Sequence, residues 1–300
     1  MYRKIIVGHD LHPGGEDALA LGRELTRVAG AQLVVAGVFP TGVLPHGFEE
    51  MWVMEEERVA REIQRIADEA GAKAEGFPSS SPAAGLHGLA EEIDADLVIV
   101  GSSRHSKLGR ILAGDVALGL LHGAPCAVAI APRGYAEREQ EELATIVVGL
   151  DGSHEARLAL EDAVELAGGS GAAVKLVAVA QEPSAVYAEG ASMGSYQVLK
   201  EAIAEQARTH LDEALSSIPR TVTAEASLVV GDPDEKLAQA ASGSSLLILG
   251  SRGYGPLRRV LLGSVATALM RNAACPVLVH PRGVENEPPI RQSADAMTVA

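Results

Sequence analysis

The sequence predicts an α/β protein built from two similar domains, each a small doubly wound parallel sheet. Its 300 residues suit two domains of about 150 residues each. Residues 97–134 align without a gap with residues 246–283, with 17 identities in 38 positions, and a repeat this long indicates duplicated domains. Short runs that are apolar throughout alternate with helical segments, which is typical of a parallel sheet covered by helices on both faces.

The elements of the two halves follow from this pattern. The first strands match, because residues 5–10 (IIVGHD) resemble residues 146–151 (IVVGLD). In the second half, β-branched and apolar runs predict strands over 145–150, 173–180, 221–230, 245–249 and 276–279. Apolar residues recur every four positions between 197 and 216, which predicts a helix there. In the first half a helix is expected over 58–70, with Met51, Trp52 and Met54 before it covering an edge of the core.

The predicted domain boundaries fall where periodicity is lost. Residues 1–134 form the first domain and residues 143–283 the second, joined by the charged linker 135–142. Residues 284–300 contain Pro288 and Pro289 and little periodic apolar content, so they are expected to form a flexible tail.

Composition restricts the partners and the compartment. The net charge is −15 and both halves are acidic, so the surface should repel nucleic-acid phosphates and anionic lipids. With only two cysteines and no signal-peptide core, the chain is expected to be cytoplasmic, without a disulfide framework and without a membrane segment. No His-x-x-x-His or Cys-x-x-Cys pair supports a metal site.

One stretch departs from the acidic composition and predicts an anion site. Residues 250–272 contain four arginines and no acidic residue. Three glycines among residues 250–255 leave backbone N–H groups open to a phosphate. Ser264 is expected to cap a helix whose N-terminus attracts anions. In parallel sheets, ligands bind beyond the carboxyl ends of the strands, at the place where this loop begins.

The motifs in this half resemble a known family. The spacing Gly-x2-Gly-x9-Gly-Ser at Gly250, Gly253, Gly263 and Ser264, with VGLDGS at 148–153 and CPVLV at 275–279, is similar to that of universal stress protein domains of the ATP-binding type. The resemblance extends over both halves. It implies two flavodoxin-like, Rossmann-like domains, each with a five-stranded parallel sheet of order 3-2-1-4-5 and helices on both faces.

The resemblance also implies roles for individual residues. Asp151 would accept hydrogen bonds from the ribose hydroxyls or the adenine edge, and the backbone around Val179 would contact the adenine. The phosphates of ATP would be held by Gly250, Gly253, Gly263, Ser264 and the Val265 amide. Ser251 and Arg252 are assigned to the same site from their position in the loop. Mg²⁺ can accompany the triphosphate.

The first half departs from the motif at two positions. Arg104 stands where the second half has Gly253, and Asp115 stands where it has Ser264. Like charges about 4 Å apart repel by roughly 4 kcal/mol at an intermediate dielectric, so triphosphate should not bind there. The first half keeps Asp10, Gly101 and Gly114, which correspond to motif residues of the second half. Binding of a different ligand, or of adenosine without phosphates, therefore stays open for this half.

Other readings of the sequence remain. The leading hypothesis is a nucleotide-dependent regulatory or stress-response factor with slow ATP hydrolysis at most. The alternative is a scaffold that binds no nucleotide and works by pairing its domains. Residues 190–194 match the Gly-x-Ser-x-Gly pattern of serine hydrolases, but no strand directly precedes them. The family resemblance implies that the fifth strands pair, here within one chain; further association into a homodimer stays open.

Overall fold

The structure is a computed structural model that describes residues 2–40, 49–103, 105–138, 142–183, 193–251 and 263–281. In the first half the strands are β1 (Lys4–Gly8), β2 (Gln32–Pro40), β3 (Lys73–Ser79), β4 (Leu97–Gly101) and β5 (Ala127–Ala131). In the second half they are β6 (Thr145–Leu150), β7 (Ala173–Ala180), β8 (Ala224–Val230), β9 (Leu246–Gly250) and β10 (Val277–His280).

Helices connect these strands in both halves. The first half has α1 (Pro13–Ala29), α2 (Glu49–Ala70), α3 (Pro82–Glu92) and α4 (Asp115–Leu121). The second half has α5 (His154–Ser170), α6 (Met193–Ser217), α7 (Pro233–Ala240) and α8 (Ser264–Asn272). None of the helices that the structure describes is long and apolar enough to cross a bilayer.

All ten described strands form one sheet of order β3-β2-β1-β4-β5-β10-β9-β6-β7-β8. Within each half the strands are parallel, in the predicted order 3-2-1-4-5. The halves join through β5 and β10, which pair antiparallel with Leu278 opposite Ala129. This confirms that the fifth strands associate within one chain. Because the junction is antiparallel, the carboxyl ends of the strands in the two halves point in opposite directions.

Two apolar layers cover the faces of the sheet, and both halves contribute to each layer. Ile5 and Val7 point into the layer formed with α1, α2 and α5, whereas Ile6 points into the layer formed with α3, α4, α7 and α8. All three side chains are fully buried. This two-sided burial explains why the strands are apolar throughout rather than alternating.

The first helices of the two halves meet at a glycine. A Cβ at Gly169 on α5 would lie 2.5 Å from the carbonyl oxygen of Val28 on α1. No side chain fits at that separation, so glycine is required for α1 and α5 to approach this closely. Both helices then end at a glycine with positive φ, Gly30 (65°) and Gly171 (79°), as is common at helix C-termini.

Candidate nucleotide-binding site

Three neighbouring strands of the second half bring predicted site residues to one edge of the sheet. Leu150 pairs with Ala178, so the next residues along each strand, Asp151 and Val179, are adjacent. In the pairing of β6 with β9, Val148 lies opposite Ile248. Two residues further along both strands, Gly250 lies beside Leu150 at the end of β6. Asp151, Val179 and Gly250 therefore share the carboxyl edge formed by β7, β6 and β9.

Asp151 organises the turn between β6 and α5. Its Oδ1 accepts a hydrogen bond from the Ser153 amide at 2.9 Å. Ser153 in turn caps α5, since its hydroxyl accepts from the Ala156 amide at 3.1 Å. The Asp151 side chain is exposed, and the turn uses one of its two carboxylate oxygens. Asp151 thus has a structural role that does not prevent it from accepting further hydrogen bonds.

Ser251 joins the end of β9 to the start of α8. Its amide donates to the His280 carbonyl at 2.8 Å, and its carbonyl accepts from the Gly263 amide at 2.7 Å. The loop between them, which includes Arg252 and Gly253, lies outside the described residues. Because both ends of this loop meet at Ser251, the N-terminus of α8 lies beside the same edge as Gly250. Ser251 itself is buried.

The N-terminus of α8 has no side-chain cap. Gly263 is the N-cap residue, with extended dihedrals and no side-chain hydrogen bond. The prediction that Ser264 caps the helix is therefore wrong: Ser264 is the first helical residue and is exposed. The glycine adopts the extended cap conformation and leaves the first amides of α8, including those of Ser264 and Val265, without intrahelical partners. No acidic residue lies in the first turn, so the positive end of the helix dipole is not neutralised there.

The first half uses the corresponding backbone differently. α4 also begins after a glycine N-cap, Gly114, but Asp115 places a carboxylate in its first turn. The loop before α4 is docked onto the C-terminal end of α8 in the other half. Its Ile111 and Ala113 amides donate to the carbonyls of Ala273 and Met270 at 2.9 and 2.8 Å. This loop therefore holds the two halves together.

A histidine fills the sheet edge of the first half, where the second half has Leu150. The His9 side chain is fully buried, and its Nδ1 accepts from the Leu11 amide at 3.1 Å. Its Nε2 lies 3.3 Å from Glu16 Oε1, although the angles do not form a hydrogen bond. Burial lowers the pKa of His9, and the negative charge of Glu16 opposes that shift. A neutral imidazole therefore packs under the start of α1.

Two residues at the edge of the second half were not anticipated from the sequence. The ring of His210 on α6 packs over Gly152, where a Cβ would lie 2.3 Å from the imidazole. Glu155 in the first turn of α5 is buried. A Cβ added at Gly250 would lie only 2.8 Å from the Cβ of Glu155. Gly152 and Gly250 are thus required by close packing as well as by any ligand. A crossing helix brings His210 to this edge, and no local sequence signal could reveal it.

A buried polar network links the first half to Ser251. The Tyr2 hydroxyl donates to Asp162 Oδ2 on α5, and His280 Nε2 lies 2.5 Å from the same oxygen. Because a carboxylate only accepts, Nε2 is the protonated nitrogen of His280. Burial, followed by the charge of Asp162, raises the pKa of Tyr2 well above its ordinary value. The His280 carbonyl then accepts from the Ser251 amide, so this network reaches the base of the candidate site.

The two cysteines are free thiols. Cys275 is buried and Cys126 half-buried. Burial raises the pKa of Cys126 to about 12 and also raises that of Cys275. Of the Gly-x-Ser-x-Gly segment, residues 190–192 lie outside the described part of the chain.

Comparisons with known proteins agree with this architecture. The model of the universal stress protein family matches residues 1–132 and 143–281. A universal stress protein of Mycobacterium tuberculosis is 27% identical over 290 residues, covering 92% of this chain and 99% of that protein. Another from the same organism is 30% identical over 186 residues, covering 62% of each chain.

Solved structures show the same fold. A universal stress protein from Archaeoglobus fulgidus superposes with a TM-score of 0.68 at 21% identity, covering 93% of this chain and 98% of that one. A putative universal stress protein from Pseudomonas aeruginosa gives a TM-score of 0.62 at 16% identity, covering 93% and 92%. With a family match in each half and a ten-stranded sheet that repeats one five-stranded order, the chain belongs to the universal stress protein family.

Proposed function

We propose that the second half binds ATP at the carboxyl edge of β7, β6 and β9. The observation that carries this proposal is the uncapped N-terminus of α8, fixed beside that edge by the 2.7 Å hydrogen bond from the Gly263 amide to the Ser251 carbonyl. Unpaired amides and the positive end of a helix dipole favour phosphate oxygens. The protein has a net charge of −15, so an anion would find few other places that attract it.

Each residue at this edge has a role in the proposed complex. The free carboxylate oxygen of Asp151 accepts from the ribose hydroxyls, and the backbone near Val179 borders the adenine. The amides of Ser264 and Val265 hold phosphate oxygens. Arg252 and Gly253 complete the phosphate loop on the basis of the sequence alone. When Mg²⁺ accompanies the nucleotide, the phosphates supply its main ligands.

We further propose that ATP acts as a bound effector and is hydrolysed slowly at most. Asp151 and Glu155 lie at the edge beside Gly250, and Glu182, just beyond the end of β7, is paired with Lys200 at 2.8 Å. Asp151 is engaged in the turn before α5, and Glu155 is buried against Gly250. Neither is placed as a free base that could orient a water for attack on a phosphate, which efficient hydrolysis requires.

The first half is proposed not to bind triphosphate. Asp115 carries a carboxylate at the helix start that would face the phosphates, and the loop before it is docked on α8. Like charges about 4 Å apart repel by roughly 4 kcal/mol at an intermediate dielectric. Because Asp115 is exposed, solvent and salt reduce this to about 1–3 kcal/mol, which weakens triphosphate binding by roughly 5- to 150-fold.

A matched pair of substitutions tests the assignment. In both halves the aspartate after the first strand accepts from the amide two residues later: Asp151 from Ser153 at 2.9 Å and Asp10 from His12 at 3.1 Å. Asparagine keeps that turn and removes the charged acceptor. Isothermal titration calorimetry should show ATP binding about tenfold weaker or worse in Asp151→Asn and unchanged in Asp10→Asn. Equal affinity in Asp151→Asn and wild type would refute the site, and a loss confined to Asp10→Asn would place it in the first half.

The scaffold hypothesis also has a specific observation in its favour. The halves share a continuous sheet, and a loop of one half is hydrogen-bonded to a helix of the other. A thermal shift series separates the two hypotheses, because ligand linkage raises the melting temperature as ATP concentration increases. A flat series would favour the scaffold.

A further inference from the structure

We propose that a cleft between the two halves is a second binding site, suited to a small phosphorylated compound that also carries hydroxyl groups. The cleft has a volume of about 1250 Å³. Its walls are the second half of α1, the starts of β2 and β3, the linker after β5, and the loops that precede β9 and β10. It shares no lining residue with the proposed nucleotide site, so the two sites are separate.

The cleft carries an excess of positive charge. Arg23, Arg27, Lys73 and Arg138 line it, against Glu24 and Glu142. Within the described part of the chain, none of these four cations forms a salt bridge.

Arginines on the outer surface of the same half behave differently. Arg58, Arg61 and Arg65 on α2 each pair with a glutamate one helical turn away. In a chain of net charge −15, carboxylates are abundant. A cluster of cations that forms no salt bridge with any of the described carboxylates therefore points to an anion supplied from outside.

The spacing of the cations on α1 fits a phosphate group. Arg23 and Arg27 are four residues apart, so they lie on the same face of the helix. Both side chains are exposed to the cleft. Two guanidinium groups from one helical face can each donate to the oxygens of one phosphate, a geometry that arginine favours over lysine.

The other polar groups of the cleft require a hydrogen-bond donor. Glu24 Oε2 accepts from the Tyr135 hydroxyl at 2.5 Å. Glu24 Oε1 and Thr26 Oγ1 are buried and have no partner among the described residues. Burial raises the pKa of Glu24, and the Tyr135 hydrogen bond and Arg27 oppose that shift. A ligand hydroxyl that donates to Oε1 would satisfy this oxygen, whereas a fully ionised anion without a hydroxyl, such as sulfate, would not.

Tyr135 and Arg138 of the linker line one side of the cleft and contact both halves. The Arg138 guanidinium lies over the Tyr135 ring, with Cζ 5.6 Å from the ring centre. Its Nη2 donates to the Ala274 carbonyl of the second half at 3.5 Å. A ligand bound here would contact α1 of the first half and a loop of the second at once.

Ribose 5-phosphate is a suitable probe, because it has one phosphate, several hydroxyls and no adenine. Titration calorimetry on the full chain should show saturable binding of one molecule per chain. Arg23→Gln/Arg27→Gln should weaken it by about tenfold or more, because two charge-assisted contacts are lost. Arg58→Gln/Arg61→Gln removes the same charge from the outer surface of α2 and should leave binding unchanged. No saturable binding to wild type, or equal binding in the two double variants, overturns the proposal.

Two further comparisons identify the chemistry and the location. Wild type should prefer ribose 5-phosphate to sulfate, which has no hydroxyl to donate, and Glu24→Gln should remove most of that preference while the Tyr135 hydrogen bond is retained. An unchanged preference would overturn the role assigned to the hydroxyls. Asp151→Asn should not affect binding of the probe; a loss there would assign the probe to the nucleotide site instead. Failure of ATP binding leaves this test intact, because the two sites share no residue.

Discussion

Replacing Ser264 by aspartate gives the second half the carboxylate that Asp115 places at the start of α4. In the proposed complex this group lies next to a phosphate of ATP. Two charges about 4 Å apart repel by roughly 4 kcal/mol at an effective dielectric of about 20. Because Ser264 is exposed, solvent and salt reduce this to about 1–3 kcal/mol, or roughly 5- to 150-fold in the dissociation constant.

The same substitution should not harm the protein itself. An aspartate in the first turn interacts favourably with the helix dipole, by about 0.3–1 kcal/mol, and α8 has no acidic residue there now. The nucleotide-free Ser264→Asp variant should therefore melt at the same temperature as wild type or slightly higher, while it binds ATP more weakly. Weak binding then cannot be attributed to misfolding.

Calorimetry on wild type, Ser264→Asp and the neutral control Ser264→Asn measures this effect. The asparagine variant should bind within a few-fold of wild type, and the penalty of the aspartate should shrink as salt is raised. If Ser264→Asp binds ATP as tightly as Ser264→Asn at low salt, the phosphate does not lie at the start of α8 and the reasoning fails.

Three further predictions concern stability and reactivity. The buried Tyr2 phenol has a raised pKa, so it stabilises the fold below pH 10, and that stabilisation is lost as the pH rises further. Tyr2→Phe should therefore reduce the slope with which the unfolding free energy falls at alkaline pH, by up to about 1.4 kcal/mol per pH unit. An unchanged slope would contradict the burial of the phenol. In chemical denaturation, Gly169→Ala should lower the unfolding free energy by about 1–3 kcal/mol, because its Cβ meets a backbone oxygen. The control Gly168→Ala, whose Cβ has nothing within 4 Å, should be neutral or stabilising. Equal effects of the two substitutions would argue against the close helix contact. Cys126 and Cys275 should react slowly with a disulfide reagent at pH 8 in the native protein and completely after denaturation. The thiolate is the reactive form, and burial raises both pKa values. Rapid labelling of the native protein would contradict this prediction and show that the thiols are accessible.

Much of the fold could be predicted because burial on both faces leaves a direct trace in the sequence. The strands Thr145–Leu150 and Ala173–Ala180 have the predicted limits. The third strand of the second half was predicted over 221–230, and the observed strand is shorter, Ala224–Val230. Its residues at the sheet margin are exposed or half-buried rather than buried, which gives a weaker apolar signal, so its start could not be located.

Helix limits were less predictable than strands. The helix expected over 58–70 begins earlier, at Glu49. The prediction missed its first turns because they carry glutamates and little apolar periodicity. Met54 was expected to cover an edge of the core, and this is wrong: it lies within the helix and its side chain is 69% exposed.

The candidate site could be predicted only where its residues lie at, or next to, the carboxyl end of a strand. Asp151, Val179 and Gly250 lie at one edge because the order of a parallel sheet determines which strand ends are neighbours. His210 and the Tyr2–Asp162–His280 network come together through helix packing and through contact between the halves. Such contacts depend on packing between distant segments, and a single sequence contains no periodic signal for them.

The number of ATP molecules bound per chain tests the central claim most directly. Calorimetry or equilibrium dialysis at saturating ATP should give one per chain in wild type, and Asp151→Asn should bind that one ATP about tenfold more weakly or worse. Two per chain would contradict the asymmetry attributed to Asp115, and none would contradict the nucleotide site altogether.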